Sequence, residues 1–361
     1  MEDISEKLIA KFTARQANIG VVGLGYVGLP LSIAFAENGF RVIGFDPDRV
    51  KVRHVNSSTR YINHIPATEI KSISRQGGSA TYNHLDLAEA DAIIVCVPTP
   101  LTKNRDPDTS YVAAAAQTIA SILHPGQLVV LESTAYPGIT RDVFLPELEK
   151  SKLRGGQDFL LAYSPEREDP GVNGHSASSI PKVVAGLTDA CLKAAEALYI
   201  TIVPKIVPVS SLETAEATKL MENIFRCVNI AMVNELKQVF SRMNIDIWEV
   251  IEAAQTKPFG FMPFHPGPGL GGHCIPIDPF YLTWKARGYE CATRFIELAG
   301  EINTAMPEYV VSRVAEELNS FQKPLNGSKI LLLGMAYKKN IDDVRESPSF
   351  RLLELFNRSG A

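Results

Sequence analysis

Apolar positions fall into short unbroken runs in the first half of this chain and into helix-spaced sets in the second. Residues 19–22, 41–45, 92–97, 127–131, 159–163 and 182–185 are apolar runs bounded by turn residues. That pattern reads as buried parallel strands. With helical runs between them, such as 29–37, residues 19 to about 185 predict an α/β sheet of the Rossmann type. After Pro204 and Pro208 the pattern changes. Ser210-x-x-Glu213 reads as a capping box opening one long helix to about residue 243. Leu220, Ile224, Val228, Ala231 and Glu235 keep helical spacing there, with no internal Pro or Gly. A helix that long is expected to connect domains or to form a dimer core. Helical patterning continues to about residue 319, apart from a Gly/Pro-rich segment at 257–279.

Residues 329–334 then read as the first strand of a second α/β domain, followed by a helix at 347–358. One strand and one helix do not make a domain. This unit is therefore expected to be the start of a truncated Rossmann-like domain, disordered or packed opportunistically after about residue 323. The expected division is 1–204 for a Rossmann-like domain, 205–323 for a central all-helical domain, and 324–361 for the truncated one.

The first strand runs directly into Gly23-Leu24-Gly25-Tyr26-Val27-Gly28, a G-x-G-x-x-G segment that opens a helix. In this motif Gly23 permits the tight turn, Gly25 lets a pyrophosphate approach, and Gly28 lets helix and strand pack closely. The helix N-terminus offers free N–H groups and a positive dipole end to phosphates. Asp46 ends the second strand, where a carboxylate accepts ribose hydroxyls and repels a 2′-phosphate. The expected cofactor is NAD rather than NADP. Strand ends at Pro98-Thr99-Pro100 and Glu132-Ser133-Thr134 carry further polar residues, where ligands of open α/β sheets gather.

Composition narrows the class. The 361 residues are 45% hydrophobic and 21% charged, with a formal net charge of −4. No basic excess points to nucleic acid. Residues 1–16 lack an apolar leader, and no run has the length to span a bilayer. The five cysteines (Cys96, Cys191, Cys227, Cys274 and Cys291) show neither CxxC nor Cys/His metal spacing, which fits free thiols in a reducing compartment. A soluble, cytoplasmic protein without a metal site is expected.

The most informative segment is Gly269-Leu270-Gly271-Gly272-His273-Cys274-Ile275-Pro276-Ile277-Asp278-Pro279. A thiol is a useful nucleophile only as thiolate, in an approachable and polarised setting. Lys219 and Asn223 lie one helical turn apart and share a helix face. Glu166 and Arg167 stand in Ser164-Pro165-Glu166-Arg167, just past a predicted strand.

These residues resemble the UDP-glucose/GDP-mannose dehydrogenase family from Ile19 to the end of the chain. The likeness rests on GLGYVGLP, ESTAYPG, the Lys219-x-x-x-Asn223 helix and GLGGHCIPIDP, in that order. It implies a Rossmann domain for NAD, a helical dimerisation domain, and a C-terminal domain for the nucleotide diphosphate. Motif by motif, it implies Cys274 as nucleophile, Lys219 and Asn223 as the oxyanion-stabilising pair, and Asp278 as the carboxylate supporting them. Thr134 would position a water or proton relay, and Glu166 would be the carboxylate of the SPE segment. Gly23, Gly25, Tyr26, Val27, Gly28, Asp46, Pro98, Thr99 and Ser133 would hold NAD. Arg167, Gly271, Gly272, His273, Lys338 and Arg345 would meet the substrate, the last two at its phosphates.

The implied reaction is oxidation of a nucleotide-sugar C6 alcohol to a carboxylate. The segments SPEREDPG and PFHPGPGLGGHCIPIDPFYL point to the branch acting on UDP-N-acetylhexosamines, with UDP-N-acetylglucosamine favoured. The galacto and manno epimers and UDP-glucose are the alternatives, and a homodimer is expected. Two other classes stay open: a two-electron hydroxyacid dehydrogenase, which has no use for a thiol, and a nucleotide-binding protein without catalysis.

Overall fold

The computed structural model describes residues 2–102, 104–167, 179–272 and 275–361. It divides into two compact units, Met1–Leu220 and Met221–Ala361.

In the first unit eight strands form one sheet in the order β3-β2-β1-β4-β5-β6-β7-β8. They are β1 (Asn18–Val22), β2 (Arg41–Phe45), β3 (Ser79–Thr81), β4 (Ala92–Val95), β5 (Leu128–Leu131), β6 (Leu160–Tyr163), β7 (Lys182–Gly186) and β8 (Ile206–Pro208). The helices are α1 (Glu2–Thr13), α2 (Gly28–Glu37), α3 (Arg49–Asn56), α4 (Ala67–Arg75), α5 (Ser110–Ala120), α6 (Leu145–Leu148) and α7 (Asp189–Tyr199). Strands β1 to β6 pair in parallel. Strands β4, β5 and β6 are buried at every position, so both faces of the sheet are covered. Ile19 and Val21 of β1, Ile94 of β4 and Val130 of β5 share one core with Leu29 and Phe35 of α2 and Leu198 of α7.

Several details differ from the sequence expectation, among them the short edge strands β3 and β8, which no apolar run announced. Strand β7 runs antiparallel to β6, with Ala162 opposite Gly186. A wholly buried apolar run carries no mark of its direction, so its pattern matches either pairing. Helix α1 was not anticipated; Leu8 and Phe12 anchor it in the core. The N-cap of the long helix α8 (Leu212–Arg242) is Ser211, not Ser210: Ser211 Oγ accepts from Thr214 N at 3.1 Å.

The second unit contains the rest of α8, then α9 (Ile247–Ala254), α10 (Asp278–Arg287), α11 (Arg294–Ser320) and α12 (Pro348–Arg358). Residues 330–333, expected as a strand, form none. Leu331 and Leu333 are each 83% exposed, because no neighbouring strand offers a ladder to pair with. Beyond them the chain folds back: α12 packs on α11 and buries Leu352 and Phe356. Ser347 caps α12 through Ser349 N at 3.3 Å. No helix among the described residues is long and apolar enough to cross a membrane.

Candidate active site

The glycine-rich turn lies where the strand order reverses, between β1 and β4, the usual ligand crevice of an open α/β sheet. Gly23 has φ +94°, and a Cβ there would stand 2.4 Å from the Cys96 carbonyl oxygen. A Cβ on Gly28 would stand 1.8 Å from Gly23 O. Both positions are closed to any side chain. Around Gly25 nothing lies within 4 Å of a built Cβ, so the space a pyrophosphate needs is present there. Tyr26 stacks on His64 at 5.9 Å between centroids, and Tyr61 donates to Leu24 O at 2.7 Å, bracing the loop. Val27 immediately precedes α2, whose first residue is Gly28.

Asp46 follows β2 and is buried. Its Oδ2 accepts from Leu24 N at 2.9 Å and from Lys51 Nζ at 3.0 Å, and its Oδ1 accepts from Asp48 N at 2.9 Å. The carboxylate is thereby tied to the glycine loop, beside which the adenosine ribose of a dinucleotide lies. Burial, followed by the charges of Asp46 and Asp48, raises the Tyr61 hydroxyl far above its usual value, so it stays a donor. Lys51 was not singled out from the sequence; its signal is its place on α3, five residues beyond Asp46.

At the carboxyl ends of β4 and β5 the expected polar residues meet. Thr99 Oγ1 donates to Thr134 O. Ser133 Oγ accepts from Val97 N at 2.9 Å and donates to Val97 O at 2.8 Å, next to the exposed Pro98. Beneath them Glu132 is buried and paired with Lys182 Nζ at 3.0 Å, and Tyr199 OH donates to its other oxygen. Burial raises the Glu132 carboxyl, and the Lys182 ammonium opposes that rise. Burial alone would lower Lys182, but Glu132 and Glu166 more than offset it and keep the ammonium charged. Glu166, Arg167 and Lys182 line a small cavity together with Leu31, Ile202 and Val203. Arg167 itself donates to Pro181 O at 2.7 Å.

Downstream of Thr134, the loop meets α8. Glu216 is fully buried and accepts from Gly138 N, from Thr140 N at 3.0 Å and from Thr140 Oγ1 at 2.6 Å. Lys219, one turn further along the helix, is buried as well. Sequence reasoning missed Glu216; a carboxylate one turn before Lys219, on the helix face that also carries Asn223, was the available signal.

In the second unit Asn223 Nδ2 donates to Asp278 Oδ2 at 2.6 Å, and both residues are buried. This bond joins α8 to the first residue of α10. His273 and Cys274 lie outside the described residues. The glycines before them are tightly seated. Gly272 has φ +83° and donates to Arg345 O at 3.0 Å, while the Tyr337 ring leaves no room for a Cβ at Gly271 or Gly272. Arg345 places its guanidinium on Asp343, at 2.6 to 3.0 Å. Lys338 is half-buried one residue after Tyr337. A second polar group, also missed, supports the same segment: Asn234 Nδ2 donates to Asn303 Oδ1 at 2.9 Å, and Asn234 Oδ1 accepts from Gly267 N at 2.9 Å. No cluster of His, Cys, Asp and Glu suited to a metal ion occurs among the described residues.

Comparison with known proteins agrees with this geometry. Residues 17–203 match the NAD binding domain of the UDP-glucose/GDP-mannose dehydrogenase family, and residues 213–305 match its central domain. A UDP-N-acetyl-D-glucosamine 6-dehydrogenase of Pseudomonas aeruginosa is 39% identical over 335 residues, which cover 92% of this chain and 78% of that protein. An NDP-N-acetyl-D-galactosaminuronic acid dehydrogenase of Ralstonia nicotianae is 36% identical, covering 93% of this chain and 79% of that one. The solved UDP-D-ManNAc dehydrogenase of Pyrococcus horikoshii superposes with a TM-score of 0.88 at 35% identity, over 95% of this chain and 81% of its own. A glycine turn with open space around Gly25, a buried carboxylate bonded to that turn, and two matched domains in sequence order lead to one conclusion: the chain belongs to the UDP-glucose/GDP-mannose dehydrogenase family, and it is an NAD-dependent oxidoreductase.

Proposed function

We propose that the chain oxidises the C6 alcohol of a UDP-N-acetylhexosamine, UDP-N-acetylglucosamine by preference, to the uronic acid. Such products are precursors of surface polysaccharides. The observation that carries the reading is the Asn223–Asp278 bond. It fastens the first residue of α10 to α8, and in sequence Cys274 precedes that residue by four while Lys219 precedes Asn223 by four. The relatives named for three different N-acetylhexosamine epimers support the substrate class and leave its C2 and C4 configuration to experiment.

Alcohol to carboxylate is a four-electron change, so one site must act twice without losing the aldehyde. NAD, when bound, supplies a two-electron hydride acceptor, and two cofactor molecules are consumed per sugar. The Cys274 thiolate adds to the aldehyde carbon and retains it as a thiohemiacetal. Loss of the second hydride leaves a thioester, which water hydrolyses with return of the thiol. Lys219 and the Asn223 amide donate to the oxyanion of each tetrahedral species, at a few kcal/mol per donor. Thr134 positions the attacking water and Glu166 accepts its proton. Lys338 and Arg345 meet the nucleotide phosphates, where an Arg fork binds two oxygens together.

The test is NADH yield per sugar across UDP-N-acetylglucosamine, its galacto and manno epimers, and UDP-glucose. Two NADH per sugar are expected, fastest with the gluco epimer. One NADH per sugar means oxidation that stops at the aldehyde; full turnover in Cys274→Ser means two-electron chemistry that has no use for the thiol, and cofactor binding with no NADH from any sugar means a nucleotide-binding protein.

A further inference from the structure

We infer that Glu216 is a positioning residue for this oxidation: it clamps the loop that carries Thr134 onto the helix that carries Lys219. The inference rests on the functional reading above for the roles of those two residues, but the clamp itself is geometric. Both carboxylate oxygens of Glu216 are used, one by Gly138 N and the other by Thr140 N and Thr140 Oγ1. Gly138 lies four residues after Thr134 and turns the chain at φ +106°. Glu216 precedes Lys219 by three residues and Asn223 by seven, so all three project from one helix face. Any slip of the loop along α8 is therefore a slip of Thr134 relative to Lys219.

An apolar residue at 216 would pack α8 as well, but it would leave two buried backbone N–H groups without acceptors. The carboxylate is chosen for its acceptors. Its charged surroundings are sparse. Glu213 is one turn away and paired with Arg141 at 2.6 Å, and Tyr136 and Asp142 belong to the clamped segment. Burial pushes the Glu216 carboxyl up to about 7, against the pull of its donors. The clamp accepts all three bonds fully only in the ionised form.

The experiment compares the full chain with Glu216→Gln and Thr140→Val, using NAD and UDP-N-acetylglucosamine. A glutamine turns one acceptor into a donor that faces Gly138 N or Thr140 N. We expect kcat to fall about 100-fold in Glu216→Gln, the size of effect a displacement near 1 Å produces. KM for NAD and the melting temperature at neutral pH should stay near those of the parent, and the Gly138 and Thr140 amides should exchange faster. Thr140→Val, which deletes one donor of three, should show a smaller loss of kcat in the same direction. The rise of kcat through pH about 7 should be present in the parent and absent in Glu216→Gln. Parental kcat in Glu216→Gln, with the two amides deprotected, overturns the positioning role. Equal losses of kcat, NAD affinity and melting temperature would leave only a structural one and also overturn it. A parent chain that makes no NADH from any UDP-sugar sinks the functional reading and the positioning role with it, while amide exchange in Glu216→Gln still decides whether the clamp exists.

Discussion

At the residue scale, local geometry was legible wherever a residue type is rare in its pattern. Gly23 and Gly28 announce themselves because no side chain fits: their Cβ atoms would meet backbone oxygens at 2.4 and 1.8 Å. Asp46 is legible as the acid that ends the second strand, and Asp46→Ala is expected to raise KM for NAD by about 10- to 100-fold. That range corresponds to losing about 1.5–3 kcal/mol from hydrogen bonds to a charged group. Steady-state kinetics with NAD and NADP check it, and equal efficiency with both cofactors in the parent would show that the carboxylate does not meet the ribose. Cys274→Ala should abolish uronic acid formation while calorimetry still finds NAD bound, since thiol and glycine loop are separate segments. Retained conversion removes the covalent route. Glu216 and Lys51 were not legible, because each takes its meaning from a partner far away in sequence. The Glu216 carboxyl rises from 4.5 to about 7. Its contribution to stability is therefore full below about pH 4.5 and lost as pH rises through about 7, on the order of 3 kcal/mol in all. The melting temperature should fall across that window, and Glu216→Gln should flatten the fall.

Elements follow the same logic. Strands β1, β2, β4, β5 and β6 stand where unbroken apolar runs put them, because a strand buried on both faces has no polar position to interrupt it. Direction is another matter: β7 is as apolar as its neighbours and runs the other way. Residues 330–333 are apolar too, yet a strand is a relation between segments, and these have no partner. Helix α8 was visible from its spacing, but not the polar bonds along it. Asn234 sits three turns beyond Asn223, fully buried, and with Asn303 links α8, α11 and the Gly267 backbone. Asn303 also donates to Cys227 O at 3.1 Å. Asn234→Leu leaves both Gly267 N and the Asn303 carbonyl without partners. The expected destabilisation is about 1–3 kcal/mol for each buried group left unsatisfied. Thermal unfolding should show the drop, and because Gly267 precedes the glycines of the thiol segment, kcat should fall while NAD affinity holds. A double replacement, Asn234→Leu with Asn303→Leu, should be less damaging than the sum of the single ones. Strict additivity would show that the two amides do not act as a pair.

For the whole molecule, the remaining question is what covers the apolar side of α8. Met221, Phe225, Met232 and Val239 are each at least 45% exposed. Their spacing of four, seven and seven residues keeps them on one stripe of the helix, the repeat by which helices pair along their length. Phe225 meets Phe264 edge-on at 5.7 Å, which covers only part of that stripe. A second copy of the chain, laying the same stripe against it, satisfies both copies at once, as a two-fold interface does. We therefore expect a homodimer built on α8. Phe225→Asp combined with Met232→Asp should dissociate it, because each copy would place two carboxylates against the partner's stripe without counter-charge. Sedimentation at micromolar concentration distinguishes the outcomes: a parent that sediments at 39.5 kDa removes the proposal. A dimer that survives both aspartates places the interface elsewhere. NAD binding supplies the control, since the glycine turn and Asp46 lie on the sheet of the first unit, away from that stretch of helix in sequence. If the double variant keeps NAD affinity but loses both dimer and turnover, assembly on α8 is needed for the chemistry as well as for the fold.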